Sequence, residues 1–405
     1  MDKVLIVSPC GLPVPAVKGG AVLTLIESLV IQNKLNKTID LSIVGTYDAD
    51  SEKKSKEYSD TQFFFIKKPE LIVTLDRLVE SILKALHKNK DTPRDFFWKL
   101  YVLKYVRKLL LSKKYDKIIF ENSGYLLRSL KNGRISQKYK GRFFYHLHND
   151  IPLNIDVDGV KKCKLLIISE YLKININKLC RRDMKNQCVI VRNGFDVNHF
   201  TQFLSSDEKD KIKQALNIPK HKKVILFAGR LNANKGIDKL ADAFVRLNRD
   251  DLTLLIIGSH HFGASDTSKF AENLKHKFGQ LGDSVVFTGY VPYTEMWKYY
   301  KIADVGVFPS MWEEPAGLTM LEASAAGIPV ITTVSGGIPE YLPEEYVYFI
   351  KRDDDIVNNL SKAICEVLAN YDNWKEKAEK CSKYIINNYS EERYFADFIS
   401  ALKNQ

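Results

Sequence analysis

The chain has 405 residues, of which 45% are hydrophobic and 27% are charged. This composition is typical of soluble globular proteins, and no apolar run approaches the ~18 residues of a membrane span, so collagen-like, disordered and integral membrane classes are excluded. The length suggests two or three domains. The six cysteines form no CxxC pair, so we expect reduced thiols in a cytoplasmic protein.

The net charge of +12 is concentrated in the amino half of the chain. Residues 1–200 contain 36 Lys and Arg against 21 Asp and Glu, whereas residues 201–405 contain 25 against 28. Within 99–142 there are 13 basic residues and two acidic ones. This excess suggests an anionic partner, either a membrane surface, a nucleic acid or an acidic substrate, and a lysine-rich, solvated surface is the alternative. No nucleic-acid recognition motif accompanies it.

In the amino half, short apolar runs alternate with helix-like segments, of which 20–34 and 93–114 are the clearest. The predicted strands are Val4–Ser8, Leu41–Gly45, Phe63–Ile66, Lys117–Glu121, Arg142–His146, Lys164–Ser169 and Val189–Arg192. Such alternation predicts a parallel sheet that is covered by helices on both faces.

The same pattern restarts in the carboxyl half, with helix-like segments at 236–248, 266–280, 294–302, 317–326 and 355–388. The predicted strands are Val224–Ala228, Leu252–Gly258, Val285–Thr288, Val305–Pro309, Val330–Thr333 and Tyr346–Ile350. We therefore predict an α/β fold of two facing, doubly wound, Rossmann-like domains. The polar stretch 201–222 places their boundary at 205, giving domains at 1–205 and 206–388, with a ligand cleft between them.

Two loops that follow predicted strands suit a phosphorylated ligand. Gly19 and Gly20 precede the first helix, where backbone N–H groups can approach a phosphate. Arg230 and Lys235 follow the strand that starts at Val224, and two cations beyond a strand end suit a diphosphate. Each feature alone is also compatible with an ordinary exposed loop.

A third segment contains two carboxylates eight residues apart. Glu314 precedes a predicted helix and Glu322 lies on it, and carboxylates accept hydrogen bonds from sugar hydroxyls. The backbone amides of Gly317, Leu318 and Thr319 open that helix and can meet a sugar or phosphate oxygen.

Taken together, these stretches resemble a retaining glycosyltransferase of family 4 (glycosyl transferases group 1), which has the GT-B fold. The resemblance rests on the following segments, in this order: Val191–Asp196, Gly229–Leu231 with Lys235-Gly236, Phe287–Val291, Ala303–Ser310, the Glu-x7-Glu stretch, and Gly336–Glu340. It is strong over roughly 185–345 and looser in the amino half.

The resemblance implies a role for each matching residue. Arg230 and Lys235 would bind the donor diphosphate and stabilise the leaving group. Glu314 would hold the donor sugar and Glu322 the ribose. The remaining donor-binding residues implied are Gly19, Gly20, Tyr290, Val291, Gly317, Leu318 and Thr319. The family usually has Phe where this chain has Ala316, so the resemblance does not fix the identity of the donor sugar.

Similar enzymes have a site histidine at the end of an amino-domain strand. His146 and His148 both lie there and, by strand alternation, on one face. We favour His148, which is nearer the strand end, as the catalytic histidine; a structural, hydrogen-bonded histidine is the alternative.

The predicted function is retaining transfer of a hexose or GlcNAc from a nucleotide diphosphate sugar to a saccharide or lipid-linked acceptor, in bacterial surface glycan synthesis. UDP-GlcNAc, UDP-Glc and UDP-Gal are the candidate donors, in that order. The donor is a co-substrate, and no cofactor or metal is expected. The triplets Asp48–Asp50 and Asp156–Asp158 are too short to argue for a metal site.

We expect the amino-terminal domain to bind the acceptor and to be completed by a carboxyl-terminal helix at 389–405. Its basic residues would contact the anionic inner face of the cytoplasmic membrane. Two alternatives stay open: a nucleotide-sugar epimerase of the same fold, and a non-catalytic nucleotide-sugar-binding partner subunit.

Overall fold

The computed structural model describes residues 1–85, 95–150, 155–258 and 269–403. It divides into two compact units. The amino-terminal unit comprises Met1–Gly194 and the residues from Glu391 onward, and the carboxyl-terminal unit comprises Phe195–Ser390. No helix in these described ranges is both long enough and apolar enough to cross a membrane.

The amino-terminal unit is built on a parallel sheet of apolar strands. These strands are β1 Lys3–Val7, β2 Asp40–Thr46, β3 Thr61–Ile66, β4 Lys117–Glu121, β5 Phe143–Leu147, β6 Lys164–Ile167 and β7 Cys188–Ile190. Their order is β3-β2-β1-β4-β5-β6-β7, so the winding direction reverses between β1 and β4. Ligands of such sheets bind at this reversal, beyond the carboxyl ends of the strands.

Helices cover both faces of this sheet. They are α1 Ala21–Asn36, α2 Ala49–Ser55, α3 Glu70–Ala85, α4 Phe96–Ser112, α5 Gly133–Lys138, α6 Val157–Lys161 and α7 Glu170–Cys180. The triplets considered for metal binding lie at two of their amino ends: the Asp48 carboxylate caps α2, and the Asp156 carboxylate accepts the Gly159 N–H at the start of α6.

The carboxyl-terminal unit repeats the design with the strand order β10-β9-β8-β11-β12-β13. Its strands are β8 Lys223–Ala228, β9 Leu252–Ile257, β10 Val285–Gly289, β11 Val305–Phe308, β12 Val330–Thr333 and β13 Tyr348–Ile350. Its helices are α8 Val197–Thr201, α9 Ser206–Ala215, α10 Ile237–Leu247, α11 Lys269–Leu281, α12 Tyr293–Ile302, α13 Leu318–Ala325, α14 Ile338–Tyr341, α15 Ile356–Ala369 and α16 Tyr371–Asn388. The segment predicted as one helix over 355–388 is two, because Asn370 leaves the helical conformation at φ −114° and ψ 39°.

The boundary between the two units lies between Gly194 and Phe195, which is earlier in the sequence than the predicted boundary at 205. Residues 195–205 pack within the carboxyl-terminal unit, where the Phe200 ring lies 5.5 Å from Tyr293 and 5.8 Å from Tyr300 between centroids. Within the polar stretch that suggested the boundary, Ser206–Ala215 form helix α9, and Ser205 and Glu208 form a capping box at its start.

The last helix, α17 Glu391–Lys403, returns to the amino-terminal unit. Ser28 Oγ and Gln32 Nε2 on α1 each donate a hydrogen bond of 3.0 Å to the Glu391 carboxylate. The apolar face of α17, which includes the fully buried Phe398, joins the same core as β1 and α1.

We predict that Phe398→Ala lowers the free energy of unfolding by about 3–5 kcal/mol, because it leaves a cavity in a closely packed core. Urea unfolding followed by circular dichroism measures this. Phe203→Ala is the matched control: Phe203 is 86% exposed, so its loss should change stability by less than about 0.5 kcal/mol. Equal losses in the two variants would contradict the assignment of α17 to this core.

Candidate functional site

Two loops of the carboxyl-terminal unit are joined at the carboxyl ends of β8 and β11. The first contains Arg230, which is exposed, and Lys235, which is half-buried. The Met311 N–H of the second loop donates to the Asn234 carbonyl at 2.8 Å. Gly236 lies at φ 68°, and a Cβ there would stand 2.0 Å from the Pro309 carbonyl oxygen, so only glycine lets the loops meet.

Glu314 is the centre of this region. Lys235 Nζ lies 2.8 Å from each of its two carboxylate oxygens. The Trp312 Nε1–H donates to Oε2 at 2.6 Å, and Ser310 Oγ donates to the same oxygen at 3.1 Å. Glu314 is only 8% exposed, so its carboxylate has lost most of its contact with water. The hydrogen bonds from Lys235, Trp312 and Ser310 compensate for that loss. The sequence predicted Glu314 and Lys235 separately; the structure brings them together.

The backbone of Glu314 is held as firmly as its side chain. Gly336 takes φ 53°, and a Cβ there would lie 2.4 Å from the Glu314 carbonyl oxygen. That oxygen accepts the Gly337 N–H at 2.8 Å, while Ser335 Oγ accepts the Glu314 N–H at 3.3 Å. The Gly336-Gly337 motif therefore fixes the position of Glu314.

Helix α13 starts just after this loop and contributes the remaining predicted groups of the region. Gly317 is its N-cap at φ 85°, followed by Leu318 and Thr319. The N–H groups of a first helical turn have no partner within the helix, and they carry the positive end of its dipole.

Glu322 lies on α13 and is 7% exposed. Its Oε2 accepts a hydrogen bond of 3.0 Å from the hydroxyl of the fully buried Tyr300. Burial raises the pKa of the Glu322 carboxyl to about 8, and the hydrogen bond from Tyr300 offsets only part of that effect. Burial therefore favours the neutral form of the Glu322 carboxyl.

Tyr290 and Val291 follow β10, two strands away from β8 in the sheet. The Tyr290 side chain is 63% exposed and Val291 is 9% exposed. The predicted pair thus stands at the same carboxyl edge of the sheet as Arg230 and Lys235.

The amino-terminal unit carries a separate group of predicted residues. Gly19 and Gly20 lie between β1 and α1 with φ of 70° and 104°, and Gly20 is the N-cap of α1. His148 follows β5 and is buried. These three residues thus follow carboxyl ends of strands in this unit.

His148 belongs to a buried cluster that the sequence did not predict. Glu121 ends β4 and pairs in register with His146 on β5. Its Oε1 lies 3.1 Å from His146 Nδ1 and its Oε2 lies 2.9 Å from His148 Nε2. The signal available was the position of Glu121, an acidic residue at the carboxyl end of a predicted strand.

The electrostatics of this cluster favour an ionised Glu121. Burial alone would raise the pKa of its carboxyl, but the two imidazoles outweigh burial and lower it to about 2. Burial and the neighbouring His146 lower the pKa of His148, with opposing contributions from Glu121 and Asn193. An ionised Glu121 that accepts an N–H hydrogen bond from each of the two imidazole rings accounts for both the distances and the pKa directions. Among the described residues, this cluster alone groups three side chains able to ligate a metal.

A cavity of about 530 Å³ lies in the amino-terminal unit where the winding reverses. Cys10 after β1 and Asn122 and Tyr125 after β4 line it, together with Trp98 on α4. The Trp98 Nε1–H donates to the Cys10 carbonyl at 2.7 Å, which fixes the indole in the cavity wall.

Comparison with known proteins identifies the carboxyl-terminal unit. Residues 208–388 match the model of the family described as glycosyl transferases group 1. These residues are a glycosyl transferases group 1 domain. The predicted family is thereby confirmed for this domain, and its finer assignment to retaining family 4 stays a prediction.

Relatives and solved structures extend the likeness beyond this domain. An uncharacterized glycosyltransferase of Methanocaldococcus jannaschii is 30% identical over 58% of this chain and 56% of its own length. A lipopolysaccharide 1,2-N-acetylglucosaminetransferase of Salmonella typhimurium is 25% identical over 74% of this chain and 75% of its own. An Anabaena protein crystallised with UDP and glucose aligns over 100% of this chain and 100% of its own, with a TM-score of 0.73 and 17% identity. At that identity the likeness shows the fold, and the predicted GT-B fold is confirmed.

The raised pKa of Glu322 predicts a pH-dependent stability. A carboxyl that binds its proton more tightly when folded contributes stability below its ordinary pKa, and that contribution is lost as the pH rises toward about 8. Between about pH 5 and 8 the melting temperature of the wild type should therefore fall relative to that of Glu322→Gln, which cannot ionise. The exposed Glu379→Gln is the control and should parallel the wild type. Parallel curves for all three proteins would contradict a neutral Glu322.

Proposed function

We propose that the protein is a retaining glycosyltransferase that moves a hexose or GlcNAc from a UDP-sugar to a saccharide or lipid-linked acceptor. The observation that carries this proposal is the fixed Glu314 carboxylate, which Lys235, Trp312 and Ser310 hold at the start of α13. A carboxylate beside a cation and a row of helical amides offers partners for sugar hydroxyls and phosphate oxygens together.

Lys235 and Glu314 neutralise each other in the absence of a donor. A bound donor supplies a new partner for each side chain. Its diphosphate attracts Lys235, and its sugar hydroxyls donate hydrogen bonds to the Glu314 carboxylate in place of Lys235. Arg230, which is exposed on the same loop, adds a second cation for the diphosphate. The two cations stabilise the charge that grows on the leaving group, which is the task of a metal ion in other enzymes.

The other predicted residues complete the donor site in this proposal. Gly317, Leu318 and Thr319 contribute their amides to the sugar and phosphates. Glu322 holds the ribose through the oxygen that Tyr300 does not occupy, and Tyr290 and Val291 flank the base. In the amino-terminal unit, Gly19 and Gly20 are proposed to bind phosphate oxygens through their backbone N–H groups.

The acceptor is assigned to the amino-terminal unit. His148, whose Nε2 is held by Glu121, is the proposed catalytic histidine. The cavity beside Trp98 and Tyr125 offers aromatic walls of the kind that sugar rings contact, at the edge of the sheet where such units bind ligands.

The relatives support the choice of donor and pathway. One is named as a transferase of N-acetylglucosamine to lipopolysaccharide, and a protein of the same fold was crystallised with UDP and glucose. We therefore rank UDP-GlcNAc, UDP-Glc and UDP-Gal in that order, and propose a role in bacterial surface glycan synthesis.

A thermal-shift panel with these three UDP-sugars tests the donor, because a ligand that binds the native state raises the melting temperature. At least one should stabilise the wild type. Glu322→Ala removes hydrogen bonds to the ribose, which contribute roughly 0.5–1.5 kcal/mol each, so the affinity for UDP should fall by about tenfold. Unchanged affinity in the folded variant would contradict the ribose assignment.

The same panel is followed by measurement of UDP release with acceptor oligosaccharides. Turnover in EDTA supports metal-independent transfer, and turnover restored only by Mn²⁺ would contradict it. Interconversion of UDP-sugars without an acceptor would indicate an epimerase, and binding without turnover a non-catalytic subunit.

We also propose that helices α3 and α4 attach the protein to anionic membranes. The Asp76 carboxylate on α3 accepts the Phe97 N–H at 2.8 Å, which ties the two helices together. Their exposed side chains combine apolar and basic residues: Leu71 is 71% exposed, Leu78 56% and Leu100 42%, and Lys104 and Lys108 are exposed beside them. Such a surface contacts lipid by both burial and charge.

We predict that the protein sediments with vesicles containing phosphatidylglycerol at low salt and is released at high salt. The structure limits the useful substitutions to the exposed Lys104, Lys108 and Lys114, because Arg107 donates to the Arg128 carbonyl and Lys113 lies over the Phe64 ring. Each basic residue near an anionic surface contributes about 1 kcal/mol, so replacing these three by Glu should abolish sedimentation.

The matched control carries three equivalent changes in the carboxyl-terminal unit, Lys211→Glu, Lys362→Glu and Lys383→Glu, at exposed positions. It should sediment like the wild type. Equal sedimentation with neutral vesicles, or equal loss in both triple variants, would contradict attachment through α3 and α4.

A further inference from the structure

A second cavity, of about 460 Å³, lies in the carboxyl-terminal unit away from the proposed donor site. Its lining includes Ala303 and Asp304, just before β11, and Ile328, just before β12. These positions mark the amino ends of the strands, whereas Arg230, Lys235 and Glu314 follow carboxyl ends. Nothing in the proposed transfer reaction uses this side of the sheet.

Four lysines line this cavity: Lys209, Lys213, Lys301 and Lys375. All four are half-buried. Lys209 and Lys213 are four residues apart on α9 and therefore share a face of that helix. Neither has a carboxylate within ion-pair distance among the residues that the structure describes.

The two acidic residues of the lining are engaged by lysines outside it. Asp304 Oδ1 lies 3.0 Å from Lys223 Nζ, and its Oδ2 accepts the Val224 N–H at 2.8 Å. Asp210 Oδ2 lies 2.6 Å from Lys220 Nζ. The acidic residues therefore offset the positive charge of the four lysines only in part: burial and Lys209 lower the pKa of Lys375 by more than Glu379 and Asp304 raise it.

Helix capping explains only part of the lysine cluster. Lys301 Nζ donates to the Ala326 carbonyl at 3.0 Å, and Lys375 Nζ donates to the Gly327 carbonyl at 2.7 Å, both just past the end of α13. An ammonium group has three donors, so each lysine keeps two. Burial, together with repulsion from Lys375 and Lys209, lowers the pKa of Lys301 to about 8, and burial also lowers the pKa of Lys375.

We propose that this cavity is a binding site for a small ligand with a phosphate or diphosphate group, held by Lys209, Lys213, Lys301 and Lys375. A phosphate presents oxygen acceptors in several directions, which suits four ammonium groups arriving from three helices. The volume accommodates a small molecule, and half-buried lysines in a concavity suit such a ligand better than they suit a flat lipid surface. The site is independent of the proposed transfer reaction.

Isothermal titration with pyrophosphate at pH 7 and low salt tests this site. The titrations use the full chain with Arg230→Ala, so that the proposed donor site does not compete for the probe. This protein should bind pyrophosphate. Adding Lys209→Ala and Lys213→Ala should weaken binding at least tenfold, because two of the four charges are lost. Adding Lys211→Ala, on the same helix but outside the cavity, should leave the affinity unchanged.

Circular dichroism checks that the variants fold, and a single Lys213→Glu change provides a second, independent variant that should also lose affinity. Absence of binding to the Arg230→Ala protein would overturn the proposal, as would equal affinities in all these proteins. Binding to phosphatidylglycerol vesicles that depends on Lys209 and Lys213, without binding of pyrophosphate, would assign the surface to lipid and also overturn it.

Discussion

A carboxylate withdrawn from water must find hydrogen-bond donors, and this constraint organises the candidate site of the carboxyl-terminal unit. Glu314 is 8% exposed, and its oxygens take donors from Lys235 on one loop and from Ser310 and Trp312 on another. Meeting that requirement fixes the two loops to each other. In the proposed reaction, a donor that takes the place of Lys235 would meet a carboxylate whose backbone position is already held by Gly337 and Ser335.

Three of the buried carboxylates that the structure describes, Glu314, Glu121 and Glu322, are stabilised in different ways. Glu314 has a lysine and Glu121 has two imidazoles, whereas Glu322 accepts a hydrogen bond from the Tyr300 hydroxyl. A single hydroxyl stabilises a carboxylate charge less than two imidazoles do. Burial therefore dominates at Glu322 and raises its pKa to about 8, whereas the imidazoles lower the pKa of Glu121 to about 2. The proposed ribose contact would add a donor to this carboxyl, so the proposal couples the ionisation of Glu322 to nucleotide binding.

The sequence predicted strands better than it predicted contacts. Continuous apolar runs gave β4 and β12 with their observed bounds, since strands buried on both faces need no alternation. The break at Asn370 and the packing of Phe200 were not predicted, and the latter depends on Tyr293 and Tyr300, which are distant in sequence. Glu121 was missed for a similar reason, because its partners His146 and His148 lie on and just after another strand. Trp312 was missed although its partner Glu314 is two residues away, because no motif along the chain marks its indole N–H as a donor.

The glycines of the recognisable motifs show why a family of this kind can be identified at low sequence identity. At Gly236 and Gly336 an added Cβ would stand 2.0 and 2.4 Å from a carbonyl oxygen of a neighbouring loop, closer than any side chain allows. An added Cβ at either glycine would therefore push the neighbouring backbone aside and displace Lys235 or Glu314. The chemistry of the site therefore constrains residues that never touch a ligand. Ala316 contrasts with them: it is 5% exposed, and it differs from the usual family residue without breaking any of these backbone contacts. Gly236 and Gly336 thus fix the backbone at Lys235 and Glu314, and Ala316 is the position beside the proposed sugar at which this chain departs from the resemblance.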